Sequence, residues 1–397
     1  MILILWVSIL LFYILFGLIY LTFPELTPLG ALIFPDTVND LLLVVSIGGI
    51  GVILGYITFS YIALPGIKDF SKPQFINFCA LSFISMSFAS FFMGVHEYGG
   101  YIDFLQSPYI AIFSGSAENT TRDVMISSSG LLAIFAILTS FQKTIRNISF
   151  SNRFIICVGF FILLSIFIQG RRENLILLFL CFVSYYIIGR KLNLTLIFKI
   201  ISLVACILLF AGIGLYMRET ASTSGGSVIT AIPFAIMYET HFSLATLANE
   251  VRMHTVNGLP YGGVMVLLTP ILFIIPSFFY SVLGLDKDQI FLNSEPRLYM
   301  DKGGQFIFTE AFHSLGYIGV FVHGVILGVL LILFYRTAKR TNMILYHFPL
   351  VSLIFVGMRK DLTYGIKYIS LLFLLMIAFY LIYSVMPKKV VVAEIKK

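Results

Sequence analysis

Two side chains of types that can accept a proton lie near the start of the apolar run 305–334. Glu310 and His313 are three residues apart, so they share one helix face, which Tyr317 extends by a turn. A carboxylate at the end of a membrane span is costly unless it is paired or hydrated. Glu310 is therefore the first candidate and His313 the second for a general base that takes a proton from an attacking hydroxyl. The alternative is a hydrogen bond between the two that orients the helix.

A set of arginines lies at the ends of apolar runs or in the connections between them, where a guanidinium group needs an anionic partner. They are Arg171 and Arg172 between two apolar runs, Arg218 directly after a third run, Arg252 and Arg297 in the stretch that follows, and Arg359 between the last two runs. Guanidinium groups gathered at one depth repel each other unless an anion lies among them, and their planar fork suits phosphate. The set predicts a pyrophosphate or other polyanionic site. The alternative is that each arginine pairs with a neighbouring acid or reaches lipid headgroups.

The sequence motifs do not predict a metal or an organic cofactor. The spacing Glu-x-x-His serves di-iron bundles only as two copies with two further carboxylates, and the chain has the single copy formed by Glu310 and His313. A phosphate-binding glycine loop, a dinucleotide fingerprint, a nucleophile elbow and a zinc motif are also missing from the sequence. We therefore expect metal-independent chemistry in which guanidinium groups supply the positive charge.

The elements that must position these residues are membrane helices. Of the 397 residues 59% are apolar and 11% are charged, whereas soluble proteins carry about 25% charged residues. A bilayer crossing needs about 20 apolar residues, and this excludes a soluble enzyme, a secreted disulfide scaffold and a disordered chain. The apolar runs lie at 1–23, 38–63, 74–95, 124–141, 154–169, 173–189, 194–217, 305–334, 342–358 and 362–386. The first run lacks a basic start and a cleavage site, so we expect it to remain as a span.

The distribution of Lys and Arg predicts the orientation, because cytoplasmic loops hold an excess of them. With the N-terminus inside, the cytoplasmic connections contain 15 of the 26 cations and 2 of the 19 acids. Both termini are then cytoplasmic, and the arginines of the proposed site lie on the opposite side. The stretch 228–285 must cross the membrane twice or not at all, which gives 10 or 12 spans in one transmembrane domain, 1–397.

The segment 218–304 is expected to be a large, partly helical periplasmic or re-entrant part of this domain. Pro270 and Pro276 interrupt it, since proline breaks or kinks a helix. Helical spacing places a polar stripe on its first part, formed by Glu239, Ser243, Thr246 and Glu250. Such a stripe suits a helix in the membrane interface or along a wet cavity. Elsewhere, Gly51 and Gly55 form a small-xxx-small face that favours close helix packing.

Four of these stretches resemble the O-antigen or oligosaccharide repeat-unit polymerase family (Wzy-type), a relative of the O-antigen ligases. Gly170-Arg171-Arg172 is similar to the family's Gly-x-Arg, with Arg172 in the motif position, and Arg218 is similar to the arginine that opens the large periplasmic region. The stretch 275–280 resembles an Ile-Pro-Arg-aromatic motif, with Ser277 where arginine is common. The span that starts with Glu310 and continues past two glycines resembles the pattern near the family's C-terminus.

The resemblance implies a GT-C-like glycosyltransferase of the bacterial inner membrane that works at the periplasmic face. A growing glycan would move from undecaprenyl pyrophosphate to a new lipid-linked repeat unit during synthesis of lipopolysaccharide or a similar surface polysaccharide. The implied partners are undecaprenyl-pyrophosphate-linked glycans, membrane lipid and a chain-length regulator protein, and nucleic acid is not among them. We expect Arg172 and Arg218 to be the main pyrophosphate ligands. Further candidates are Arg171, Arg252, Arg297 and Arg359.

Other functions fit parts of the same pattern. An O-antigen ligase shares the chemistry and transfers the glycan to the lipid A core instead. A glycolipid flippase or transporter also holds cations in a cavity, but it favours inverted repeats with matching broken helices, and the proline-broken region is confined to 259–285. A polytopic acyltransferase would need a catalytic histidine near the first spans, where the sequence has none.

Overall fold

Where the structure describes the chain, the residues fold almost entirely into helices. The computed structural model describes residues 2–22, 33, 35–62, 73–106, 120–141, 150–188, 194–220, 228–264, 280, 284, 305–341, 343–360 and 362–386. Helix accounts for 90% of the structure, and no strand occurs in the described ranges. The prediction of an all-α chain is confirmed.

The bounds of most helices follow the apolar runs, but the run 342–358, predicted as a span, forms four short helical elements of different type in place of one long α-helix. In chain order they are α1 (Ile2–Thr22), α2 (Val38–Ser60), α3 (Pro73–Glu97), α4 (Tyr101–Gln106), α5 (Thr120–Ser140), α6 (Phe150–Ile168), α7 (Glu173–Ile187), α8 (Leu194–Thr220), α9 (Val228–Thr255), α10 (Thr309–Thr341), α11 (Phe348–Val351), α12 (Gly357–Lys360) and α13 (Leu362–Val385). Short 3-10 turns lie at Pro35–Thr37 and Ile344–His347, and a π-helical turn lies at Ser352–Val356.

Among the described residues, seven helices are long and apolar enough to cross a membrane, namely α1, α2, α3, α5, α6, α10 and α13. Their outward faces carry exposed large apolar side chains, such as Leu43, Ile50 and Leu54 on α2. A lipid environment explains this exposure, because water would penalise so much apolar surface. These helices indicate a multi-pass membrane protein. The predicted number of 10 or 12 spans stays a prediction, because parts of 218–304 lie outside the described residues.

The chain forms two compact units, each assembled from separate stretches. The first unit comprises Met1–Gly66, Ile236–Thr337 and Pro349–Ser370, and the second comprises Ile67–Ala235, Ala338–Phe348 and Leu371–Lys397. The prediction of one transmembrane domain is not tested by this division, since helices α9, α10 and α13 each contribute to both units.

In the first unit, glycines let helices α2 and α10 approach closely. A Cβ atom at Gly51 would lie 2.6 Å from the Phe321 carbonyl oxygen, and one at Gly55 would lie 2.2 Å from the Val325 carbonyl oxygen. The contact is reciprocal, since a Cβ atom at Gly324 would lie 2.4 Å from a carbonyl oxygen of α2. The small-residue face predicted on α2 is therefore a helix-packing surface.

The second unit is built around α5, the most enclosed of the candidate spans. Helix α3 packs along it, and the Ser87 hydroxyl donates a hydrogen bond of 2.7 Å to the Ser129 carbonyl oxygen in the buried contact. Phe83 and Phe135 meet edge to face, with ring centroids 5.4 Å apart. Helices α6 and α7 follow α5 and carry the arginine pair between them.

Candidate functional site

Helix α10 begins with a short helical segment that carries Glu310 and His313. The helical backbone breaks at Leu315 (φ −140°, ψ 21°) and Gly316 (φ +60°, ψ −137°). Glycine tolerates the left-handed conformation that this break requires. Tyr317 lies beyond the break, so the expectation that it extends the helical face of Glu310 and His313 is wrong.

The chain after α9 satisfies the backbone of this short segment. The N–H of Gly262 donates to the His313 carbonyl oxygen at 2.8 Å, and the N–H of Gly263 donates to the Ser314 carbonyl oxygen at 2.8 Å. The Tyr261 ring fills the space beside the break, because a Cβ atom added at Gly316 would lie 2.9 Å from this ring. These contacts join the end of α9 to the start of α10 within the first unit.

A buried carboxylate lies on the same short segment. Glu310 is 6% exposed, and the Thr363 hydroxyl donates a hydrogen bond to its Oε2 atom. Close by in sequence, the Gln305 N–H donates to the Arg359 carbonyl oxygen at 2.8 Å. Two contacts thus join the start of α10 to the segment that carries Arg359 and Thr363.

Two of the predicted cations belong to the first unit. Arg359 lies on α12 and is buried, and Arg252 lies half-buried near the C-terminal end of α9. The first unit therefore contains four of the predicted site residues, namely Arg252, Glu310, His313 and Arg359. A guanidinium group buried at a helix end needs anionic or carbonyl partners, because an isolated charge is poorly solvated there.

Glu250, His254 and His313 form a compact cluster. Glu250 Oε1 lies 2.8 Å from His254 Nε2 and 2.5 Å from His313 Nδ1. The two ring nitrogens are 3.3 Å apart. The first two residues lie one turn apart on α9, and His313 comes from the short segment of α10, so the two helices create the cluster together.

The ring of His254 is held on its other edge. Its Nδ1–H donates to the Leu259 carbonyl oxygen at 2.8 Å. The Tyr261 ring stacks on the imidazole at a centroid distance of 4.4 Å and an interplanar angle of 17°. The turn after α9 therefore fixes both the plane and the tautomer of His254, with Nε2 directed at Glu250.

Helix α9, which is not among the candidate spans, carries two residues of the cluster, Glu250 and His254. Burial and hydrogen bonding shift the pKa of each of them in opposite directions. For Glu250, burial favours the neutral acid, but hydrogen bonds with His254 and His313 outweigh it and lower the carboxyl pKa below its ordinary value. For His254, burial opposes the charged ring, but hydrogen bonds with Glu250 and the Leu259 carbonyl raise the pKa above its ordinary value. The cluster therefore favours an ionised carboxylate with a positive charge beside it.

In the second unit, Arg171 has a carboxylate partner. Its guanidinium group forms an ion pair with Asp123 and donates to the Ser127 hydroxyl oxygen at 2.9 Å. The Tyr98 hydroxyl donates to the same carboxylate at 3.0 Å, and the Arg122 guanidinium lies 3.9 Å above the Tyr98 ring. The alternative considered for each arginine, pairing with an acid, is therefore found for Arg171.

Arg172 lies directly before α7, and its side chain is buried. The tight turn between α6 and α7 depends on Gly170, which has a φ angle of +100°. The backbone of Arg218 lies in α8, but its side chain is outside the described residues, as is the whole of Arg297. The pyrophosphate role of Arg172, Arg218 and Arg297 stays a prediction.

The sequence-based reasoning did not assign a role to Glu250 or His254. The polar stripe on α9 already included Glu250, and His254 lies one further turn along the same face. Extending the stripe by four residues would have paired the carboxylate with an imidazole. His313 could not have been added from spacing alone, because it lies 59 residues beyond His254 in sequence.

Comparisons of the chain with protein-family models, with curated proteins and with solved structures found no match. The resemblance to Wzy-type polymerases therefore depends on the sequence motifs described above.

Proposed function

We propose that the chain is a periplasmic-face glycosyltransferase that polymerises undecaprenyl-pyrophosphate-linked repeat units into O-antigen or a similar surface polysaccharide. It would be a GT-C-like protein of the bacterial inner membrane with both termini in the cytoplasm. The observation that carries the proposal is the buried carboxylate of Glu310, oriented by Thr363 and joined through Gln305 to the segment that bears Arg359. Transfer of a glycan from a pyrophosphate carrier to a hydroxyl requires a base for the hydroxyl proton and a cation for the leaving pyrophosphate. Here the base and the cation lie on elements that contact each other.

The reaction balances with these groups. The acceptor hydroxyl oxygen bonds to the anomeric carbon of the donor glycan, and its proton passes to the Glu310 carboxylate. The bond between that carbon and the phosphate oxygen breaks, and its electron pair leaves with undecaprenyl pyrophosphate. Fixed guanidinium groups stabilise this growing negative charge more in the transition state than in the ground state.

Glu310 is the proposed base, and Arg359 and Arg252 are the proposed pyrophosphate ligands of the first unit. Burial of Glu310 restricts the water that competes with the acceptor hydroxyl. His313 is the second candidate for the base, but its Nδ1 atom already contacts the Glu250 carboxylate. Arg172 and Arg218 stay candidates because their positions resemble the family motifs, and Arg171 is the weakest because Asp123 compensates its charge.

The test uses a strain from which the gene has been deleted, complemented with wild-type or variant chains. Glu310→Gln keeps the size of the side chain and removes the base, so transfer should slow by roughly 10²- to 10⁴-fold. Lipopolysaccharide gels should then show single repeat units in place of the long-chain ladder. Glu97→Gln is the matched control, because Glu97 is an exposed glutamate at the end of α3.

The same gels separate the competing functions. A normal ladder with Glu310→Gln, at wild-type amounts of protein in the membrane, would contradict the proposed base. A ligase would leave polymer on its lipid carrier in the deletion strain, with none on the core. If the chain is a flippase, its deletion would leave repeat units on the cytoplasmic face of the membrane.

A further inference from the structure

We propose that Glu250, His254 and His313 bind a divalent transition-metal ion of the zinc type. Three potential ligand atoms, two imidazole nitrogens and one carboxylate oxygen, lie within 4.8 Å of one another. All three residues belong to the first unit. This site goes beyond the proposed glycosyl transfer, in which guanidinium groups and not a metal ion supply the positive charge.

The spacing of the donor atoms suits a small tetrahedral ion. Two ligands that each lie about 2.05 Å from zinc at the tetrahedral angle are about 3.3 Å apart. His254 Nε2 and His313 Nδ1 are separated by 3.3 Å. Glu250 Oε1 lies closer, at 2.8 and 2.5 Å from the two nitrogens, so it would withdraw by less than about 1 Å to accommodate the ion.

The surroundings of His254 provide an independent argument. Metal-binding histidines almost always donate their second N–H to a carbonyl or carboxylate, which fixes the tautomer. His254 donates its Nδ1–H to the Leu259 carbonyl oxygen, so the lone pair of a neutral ring is on Nε2. In the neutral ring that lone pair faces the carboxylate oxygen of Glu250 at 2.8 Å, so the two acceptors must share either a proton or a metal ion.

The donor types identify the class of ion. Imidazole nitrogen suits zinc and its transition-metal neighbours, whereas magnesium and calcium prefer oxygen ligands and have larger coordination numbers. Two histidines and one glutamate also form the ligand set of known catalytic zinc sites, which keep a fourth position open. His313 is the most exposed of the three, with 18% of its side chain accessible against 7% for Glu250 and 1% for His254. The open position would therefore lie on the His313 side.

The test measures metal binding directly on the full chain purified in detergent. The protein is stripped with a chelator, loaded with Zn²⁺ in the presence of excess Mg²⁺, desalted and assayed for zinc by mass spectrometry. Wild type should retain close to one zinc ion per chain. Replacing zinc by Co²⁺ should give the intense visible absorption of a four-coordinate cobalt site, which reports the coordination number.

Glu250→Gln, His254→Ala and His313→Ala should each reduce affinity by more than the roughly 10- to 100-fold that loss of a ligand's hydrogen-bond partner costs. His96→Ala is the matched control, because His96 is an exposed histidine at the end of α3 in the second unit. It should bind zinc as wild type does. If every histidine variant lowers zinc content equally, His96→Ala included, the binding is unspecific and the proposal is wrong.

A stability measurement keeps the test decisive if the alanine variants fold poorly. A ligand that binds only the folded chain raises its melting temperature by mass action. Zinc should therefore raise the melting temperature of the stripped wild-type chain and of His96→Ala, and leave that of Glu250→Gln unchanged. Stripped wild type that neither retains zinc nor gains stability would show that the residues share only protons, which overturns the site. Glycan ladders in cells report the proposed polymerase activity separately.

Discussion

At the scale of the residue, the carboxylate of Glu310 needs hydrogen-bond partners that replace its hydration. The side chain is buried, and removal of a carboxylate from water is unfavourable unless hydrogen bonds replace the lost hydration. The Thr363 hydroxyl supplies one such bond. Thr363 is therefore a positioning residue, because it acts through the proposed base.

Removal of this hydroxyl gives a prediction that separates orientation from packing. Thr363→Val should destabilise the chain by about 1.5–3 kcal/mol, since hydrogen bonds to charged groups contribute that much. Thr363→Ser keeps the hydroxyl and should cost less. Thermal unfolding in detergent of the single variants and of the double variant with Glu310→Leu, which has no acceptor for the Thr363 hydroxyl, checks the coupling. A loss in Thr363→Val that is unchanged in the Glu310→Leu background would contradict the role of the hydrogen bond.

Sequence patterns located part of the site at this scale. Glu310 and His313 were recognisable because polar residues at the start of an apolar run stand out. Their partners were not recognisable, since Thr363 and Glu250 lie 53 and 63 residues away. Contacts of such separation are decided by tertiary packing, which local spacing does not encode.

At the scale of the element, the contact between α2 and α10 depends on the absence of side chains. Gly51 and Gly55 on one helix meet Gly324 and Gly328 on the other, and each would bring a Cβ atom within 2.6 Å of a backbone atom of the partner. In a membrane the helices gain little from burying apolar surface, so close van der Waals contact stabilises their association. The same contact anchors the helix that carries Glu310 and His313.

A methyl group added at this contact should push the helices apart. Gly324→Ala should destabilise the chain by about 1–3 kcal/mol, the usual cost of overpacking. Gly49→Ala is the matched control on α2, because its nearest neighbouring atom would be 3.9 Å from the new Cβ atom. Melting temperatures in detergent should fall for the first variant and stay close to wild type for the second. Equal melting temperatures for the two variants would show that the contact is looser than described.

Several apolar runs predicted helix positions well, since the run 38–63 became Val38–Ser60 and the run 74–95 became Pro73–Glu97, whereas the run 342–358 became four short elements. The break at Leu315 and Gly316 was not predicted, because Gly316 lies inside a long apolar run. Glycine in a membrane helix is common and often continues the helix. The break depends on the turn after α9, whose N–H groups satisfy the carbonyls that the break exposes.

At the scale of the whole molecule, apolar helices and the distribution of charge carry different information. Hydropathy predicted the multi-pass character, because the bilayer selects long apolar helices regardless of their function. The direction of insertion and the reaction depend on a small number of charged residues. Of these, Glu310, Arg359 and Arg252 lie in one unit, and they form the core of the proposed chemistry.

The most direct test of this chemistry is polymerisation by the purified chain in lipid nanodiscs. The substrate is the undecaprenyl-pyrophosphate-linked repeat unit, and the two quantities measured are new glycosidic linkages and released undecaprenyl pyrophosphate. Wild type should form the two in equal amounts, and Glu310→Gln should form neither at a comparable rate. Wild-type chain that leaves the repeat units intact, or transfers them only when lipid A core is added, would contradict the proposed polymerase.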